Sequence, residues 1–296
     1  MGGRWLVATV AACAALLGTA AATAAPPAGT PDVSTMTLQA GDFPGSSASG
    51  RASAGSGPLV GGYEREITLR RAYGASRYRL IDSVAFLTTS VTVGAHFYAL
   101  LGHEYSSRAG RVKLVKSFVK DTMLNAKSVS LVKPRALGVS DSSMEIGFLV
   151  KTTSSTVNVS VSLLRIDRVV LVDVAIGDGS AVARGDGMAL TKLAAAHIAA
   201  ALVPIDVSLP AIAGAAVPGQ ALTASPGGWG DTPTAYAYQW QRCDASGGGC
   251  VALAGAVGPT YPVTAADAGS TLRVQVTATN RFGSVAAESA ATEAVA

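Results

Sequence analysis

The feature that most limits what this chain can become is a change of rhythm at Pro204. Just upstream, residues 187–202 carry apolar groups at helical spacing, with Asp186 placed to cap the helix and Pro204 to stop it. From Ile205 onward, short alternating runs recur about every ten residues, separated by Gly, Pro and Asp turns, which is the pattern of stacked β-strands. A chain that changes period in this way is expected to fold as two bodies. One is a 180-residue segment, 25–204, and the other a 92-residue segment, 205–296. Both lengths suit single domains.

Charge divides at the same place. The first segment holds 19 Lys and Arg against 13 Asp and Glu, and the second 3 against 6, so the overall +4 hides a basic body beside an acidic one. That mild net charge is too weak to argue for nucleic acid, and with 14% charged residues the chain is no charge-extended disordered tail. Three cysteines exclude a disulfide-dense miniprotein and a four-cysteine zinc site.

Residues 1–24 read as a secretory signal peptide. A basic start at Arg4 precedes an apolar run from Trp5 to Leu17 and then small residues, with cleavage expected after Ala24. Val10-Ala11-Ala12-Cys13 has the look of a lipoprotein signal, but half the apolar run lies beyond it. No second stretch is long enough to span a membrane, because Lys192 and His197 interrupt 188–204. The C-terminal residues carry no anchoring motif, so the mature chain is expected outside the cell or in its envelope, without a transmembrane span.

Within 25–204, the Gly/Ser/Ala tract 41–62 cannot bury apolar surface and reads as a flexible loop. Alternation then marks strands at Tyr63–Leu69 and Tyr78–Phe86. Helical spacing follows from Val91 to Tyr105 and continues through Val112, Val115, Val119 and Met123, with Lys113, Lys116 and Lys120 on the opposite face. Four strand-like runs come next, 128–133, 144–151, 156–166 and 168–176, with a tight hairpin at Asp167. The expected class is α+β, a mainly antiparallel sheet with helices.

The second segment reads as an all-β sandwich. Trp240, Tyr261, Asp267-Ala268-Gly269, the run Val274 to Asn280 and Gly283, together with Gly228-Trp229 and Trp240-Gln241-Arg242-Cys243, carry a resemblance. The segment resembles the immunoglobulin-like repeat domains of secreted and surface proteins of actinobacteria and other bacteria. That resemblance implies a core built on Trp240, Tyr261, Leu272, Val274 and Val276. Leu222 and Val276 stand where antibody-type domains carry their inter-sheet cysteines, so packing around Trp240 must join the sheets. Cys243 and Cys250 flank a Gly-rich turn that brings their sulfurs into bonding range, and in an oxidising compartment they are expected to form a disulfide. The first segment resembles exported lipoprotein and sensor-type domains of actinobacteria, without a diagnostic motif.

Catalytic signals are thin. His96 and His103 lie seven apart beside Glu104, which is not the four-residue spacing of a helical zinc pair, and His197 sits near an apolar stripe, as a core histidine would. There is no nucleophile elbow and no phosphate-binding loop, so neither an enzyme nor a cofactor or metal site is expected. Asp173, Asp178 and Asp186 fit no calcium loop and read as hairpin ends and a helix cap. Arg184-Gly185-Asp186 and the sequon Asn158-Val159-Ser160 are matches of chance length.

The strongest charged feature is the run Arg108, Arg111, Lys113, Lys116 and Lys120, continued by Lys127, Lys133 and Arg135 against Asp121 alone. Such a field can dock an anionic surface polymer or an acidic protein. The lysine face has no interleaved aromatics, which disfavours single-stranded nucleic acid. The expectation is therefore a secreted or surface-associated binding protein of unnamed ligand, the alternative being a secreted hydrolase of wall polymer.

Overall fold

The computed structural model describes residues 27–55 and 57–296, and only the backbone of Arg184. The expected signal peptide and Cys13 lie outside the described residues. The chain forms two compact units, Asp32–Ala201 and Leu202–Ala296, the latter joined by Pro27–Pro31. Both are built mostly of antiparallel sheet; the first also carries helices, and the second a 3₁₀ turn at Ala265–Asp267.

The first unit is one seven-stranded antiparallel sheet in the order β1-β2-β3-β7-β6-β5-β4. Its strands are β1 (Ser47–Ala54), β2 (Leu59–Tyr73), β3 (Tyr78–Thr88), β4 (Ser128–Ala136), β5 (Ser142–Lys151), β6 (Thr156–Ile166) and β7 (Val169–Gly177). Helices α1 (Val91–Ser106) and α2 (Arg108–Thr122) follow β3, and α3 (Arg184–Ala201) follows β7. Period-two alternation gives the sheet two buried faces. On one, Val84, Val172, Val161 and Phe148 pack with Phe97 and Leu101 of α1 and Leu114 and Phe118 of α2. On the other, α3 lies along β6 and the 3₁₀ turn Val33–Met36, with Leu190, Ala194 and Ile198 buried at four-residue spacing.

Local chemistry sets the helix ends. Ser90 caps α1 by accepting from Val93 N at 3.2 Å, and Ser107 caps α2 by accepting from Gly110 N at 2.9 Å. Gly110 is required at that corner, because a Cβ there would stand 1.8 Å from the Glu104 carbonyl oxygen. Met123 ends α2 in the left-handed region at φ 55°.

Several expectations are corrected. The tract 41–62 is not a loop throughout: Ser47–Ala54 is an edge strand pairing with β2 from Ser47↔Thr68 to Ala54↔Gly61. Its side chains are all exposed, so backbone bonding holds it without any burial signal. The buried stripe of α2 is Gly110, Leu114, Val115 and Phe118, while Val112 is 37% and Met123 89% exposed. Helix α3 begins at Arg184, so Asp186 lies inside its first turn, and its carboxylate accepts from Ser76 N at 2.6 Å instead of capping. Asp173 lies in the middle of β7, not at a hairpin end. His197 is not a core residue; it stands half-buried, with Nε2 3.0 Å from Asp42 Oδ2.

In the second unit, β8 (Ile205–Ser208) pairs with β11 (Gly228–Gly230), and β10 (Ala221–Ser225) lies between β9 (Ala211–Ala213) and β14 (Thr260–Pro262). A four-stranded sheet runs β13-β12-β15-β16, from β12 (Ala235–Cys243), β13 (Val251–Ala252), β15 (Thr271–Asn280) and β16 (Gly283–Glu288). Trp240, Tyr261, Leu272, Val274 and Val276 share one buried cluster with Leu222 and Val263. Trp240 stacks on Tyr261 with ring centroids 5.5 Å apart, and its Nε1 donates to Gly258 O at 2.9 Å.

Candidate functional site

The basic run maps onto α2 and the strand after it, and tertiary contacts sort its members. Lys113 pairs with Glu104 at 3.2 Å, and the Arg111 guanidinium donates to the Ser106 carbonyl at the α1–α2 corner. Arg135 is withdrawn altogether: Nε donates to Glu145 Oε2 at 2.5 Å, and Glu145 is buried. Arg108, Lys116 and Lys120 stay exposed, with no ion pair among the described residues. Their spacing of eight and four residues along α2 sets them on one stripe, while Leu114 and Phe118 hold the opposite stripe in the core. Arg77 and Arg79, at the start of β3, both pair with Asp178, at 2.7 and 3.4 Å.

The histidines do not converge. His96 and His103 are both exposed on α1, and Glu104 is committed to Lys113. Among the described residues no group of three or more His, Cys, Asp or Glu is placed to hold a metal ion. Asn158 of the sequon is buried, and its Nδ2 donates to the carbonyls of Ser76, Gly179 and Ala181.

Register assembles what sequence reading missed, a polar row across the α3 face of the sheet. Arg65 lies opposite Ser83, Ser83 opposite Asp173, Asp173 opposite Ser162, Ser162 opposite Glu145, and Glu145 opposite Arg135. Six strands each contribute one member. Glu145 is well satisfied, since Ser160 Oγ also donates to its Oε1 at 2.6 Å. Asp173 is 2% exposed, and among the described residues neither of its carboxylate oxygens meets a donor at hydrogen-bond geometry. Burial pushes its pKa up to about 7, with the neighbouring Ser83 hydroxyl acting in the opposite sense. Asp82, one residue along on the other face, is 3% exposed and equally unpaired. Burial, then the charges of Glu64, Glu66 and Asp173, push it up to about 8. Both carboxyls, set inside the sheet, therefore keep their protons to far higher pH than an ordinary aspartate.

In the second unit, Cys243 and Cys250 are joined by a disulfide, S–S 2.02 Å, across the turn 244–249. That turn is organised by Asp244, whose Oδ1 accepts from the backbone N of Ser246 and of Gly248, each at 2.9 Å. Among the described residues no helix is long and apolar enough to cross a membrane.

The chain matches no protein-family model and no curated protein. Among solved structures it is similar to the extracellular domain of PknH from Mycobacterium tuberculosis, with 7% identity and a TM-score of 0.36 over 57% of this chain and 98% of that one. A likeness of that degree carries no functional argument.

Proposed function

We propose that this chain is an exported, non-enzymatic binding protein. Its first unit docks anionic surface material, and its second, an immunoglobulin-like sandwich, serves as spacer or adhesion module. The observation that carries this reading is the stripe Arg108, Lys116 and Lys120. Three exposed cations, with no ion pair among the described residues, stand on a helix whose other face is fixed in the core. Such an arrangement offers positive charge at little conformational cost and attracts polyanions at long range. The resemblance of residues 205–296 to bacterial surface repeats, and the disulfide, fit a chain at work in an oxidising exterior. The alternative, a wall-polymer hydrolase, would need His96, His103 and Glu104 to converge in a cleft, and the first two point into solvent on α1 while Glu104 is held by Lys113.

Retention of the full chain on an immobilised phosphodiester wall polymer tests this. Raising salt from low to physiological strength is expected to weaken retention about tenfold, because exposed charges are screened within roughly 8 Å. The variant Arg108→Gln/Lys116→Gln/Lys120→Gln should lose it at either strength. Undiminished retention by that variant would discard the proposal.

A further inference from the structure

A second cationic feature lies where β2 leaves the ladder. The β2–β3 register passes from Thr68↔Leu80 directly to Tyr73↔Tyr78, so four residues of β2, 69–72, stand opposite Arg79 alone. On its other side β2 has already lost β1, whose first pair is Ser47↔Thr68. The segment is therefore a wide bulge that belongs to neither neighbour. Bulges of this kind re-aim side chains out of the alternating pattern and concentrate beside binding sites. Here the bulge and the turn 42–46 enclose a groove of about 490 Å³. That volume is within the range of small-molecule sites.

The chemistry of the lining is one-sided. Arg70 and Arg71 both line the groove, both are exposed, and neither has an ion pair or hydrogen bond among the described residues. The Arg70 stem lies over Gly45, which sits in the left-handed region at φ +75°; a Cβ there would stand 3.1 Å from Arg70 Cδ. The single acid of the lining, Asp42, is already engaged. Its Oδ2 accepts from Gln39 N at 2.8 Å, and both oxygens face His197 Nε2. The groove's unspent charge is thus two guanidinium groups. Its floor is apolar, with Leu69 and Phe43 buried and the Phe43 and Tyr73 rings edge to face at 5.4 Å. Planar guanidinium forks match carboxylate and phosphate oxygens, and an apolar floor accepts the body that carries them.

We propose that this groove is a binding site for a small organic oxyanion, with Arg70 and Arg71 holding a carboxylate or phosphate group while its carrier packs on Phe43, Leu69 and Tyr73. The site is separate from the α2 stripe and does not rest on the reading above.

Titration of the full chain by calorimetry with phenyl phosphate, benzoate and neutral benzyl alcohol tests it. Saturable binding is expected for one or both anions and not for the alcohol. The variant Arg70→Gln/Arg71→Gln should weaken it at least tenfold with an unchanged melting temperature, whereas Lys116→Gln/Lys120→Gln should leave it intact. Binding by phenyl phosphate alone assigns a phosphate site, and by benzoate alone a carboxylate site. No saturable binding of either anion at millimolar concentration, equal binding of the alcohol, or full binding by the arginine variant would overturn the proposal.

Discussion

Three buried aspartates show how neighbours, not residue type, decide what a carboxylate does. Asp267 is fully buried, which by itself would push its pKa up. Yet it accepts from Thr264 N and Thr264 Oγ1 at 2.8 Å each, from Arg242 Nε at 2.8 Å and from Tyr261 OH at 3.0 Å, and the balance holds it below the usual carboxylate range. Its contribution to stability is present above the unfolded-state value and lost as pH falls through the lowered one. For Asp82 and Asp173 burial outweighs what neighbouring groups offer the carboxylate, so the sign reverses. Their folded-state values of about 8 and about 7 lie above the ordinary 3.8, so the folded protein holds the extra protons. Stability is full below the unfolded-state pKa, declines as pH rises from there to 7 and 8, and levels off beyond. Asp82→Asn, which keeps the shape without the charge, should flatten that decline, so that its gain at pH 9 exceeds its gain at pH 5 by several kcal/mol. Denaturant unfolding across pH 5–9 measures this, and an equal effect at both ends would show that the Asp82 proton is not the cause. Sequence reading placed Asp82 on a strand but could not see its isolation, because Glu64, Glu66 and Asp173 reach it through strand pairing.

At the scale of elements, strands with a period-two apolar pattern announced themselves and a strand without one did not. Val157, Val159, Val161 and Leu163 alternate without a break and form the middle of β6, pairing with β5 and β7. Strand β1 has no such pattern, since all eight of its residues are exposed; only the ladder offered by β2 makes it a strand. Helix α2 was legible as a helix but not in its rotation. Its apolar residues fit more than one stripe, and the choice falls to Leu114 and Phe118 because Phe118 meets Phe148 of β5 edge to face at 5.3 Å. Phe118→Ala should therefore cost about 3–5 kcal/mol, and Val112→Ala within about 0.5 kcal/mol. Comparable losses measured by denaturant titration would mean that Val112 supports the helix as much as Phe118 does.

For the whole molecule, the two units have separate cores, one around Phe97, Phe118 and Phe148 and one around Trp240 and Tyr261. Scanning calorimetry should resolve two transitions. Reducing Cys243–Cys250 should lower one of them, by about 2 kcal/mol for so short a closed loop, and leave the other in place. A single transition, or both shifting together, would show that the units unfold as one. The period of each segment, the change at Pro204 and the nearness of the two cysteines can be read from the chain alone, because they follow from spacing along a few residues. Which stripe of α2 is buried, that Arg135 is spent on Glu145 while Arg70 and Arg71 are left over, and that six strands line up one polar row all come from packing in three dimensions. Those outcomes depend on register between strands distant in the chain, and a shift of one residue would turn each side chain to the opposite face.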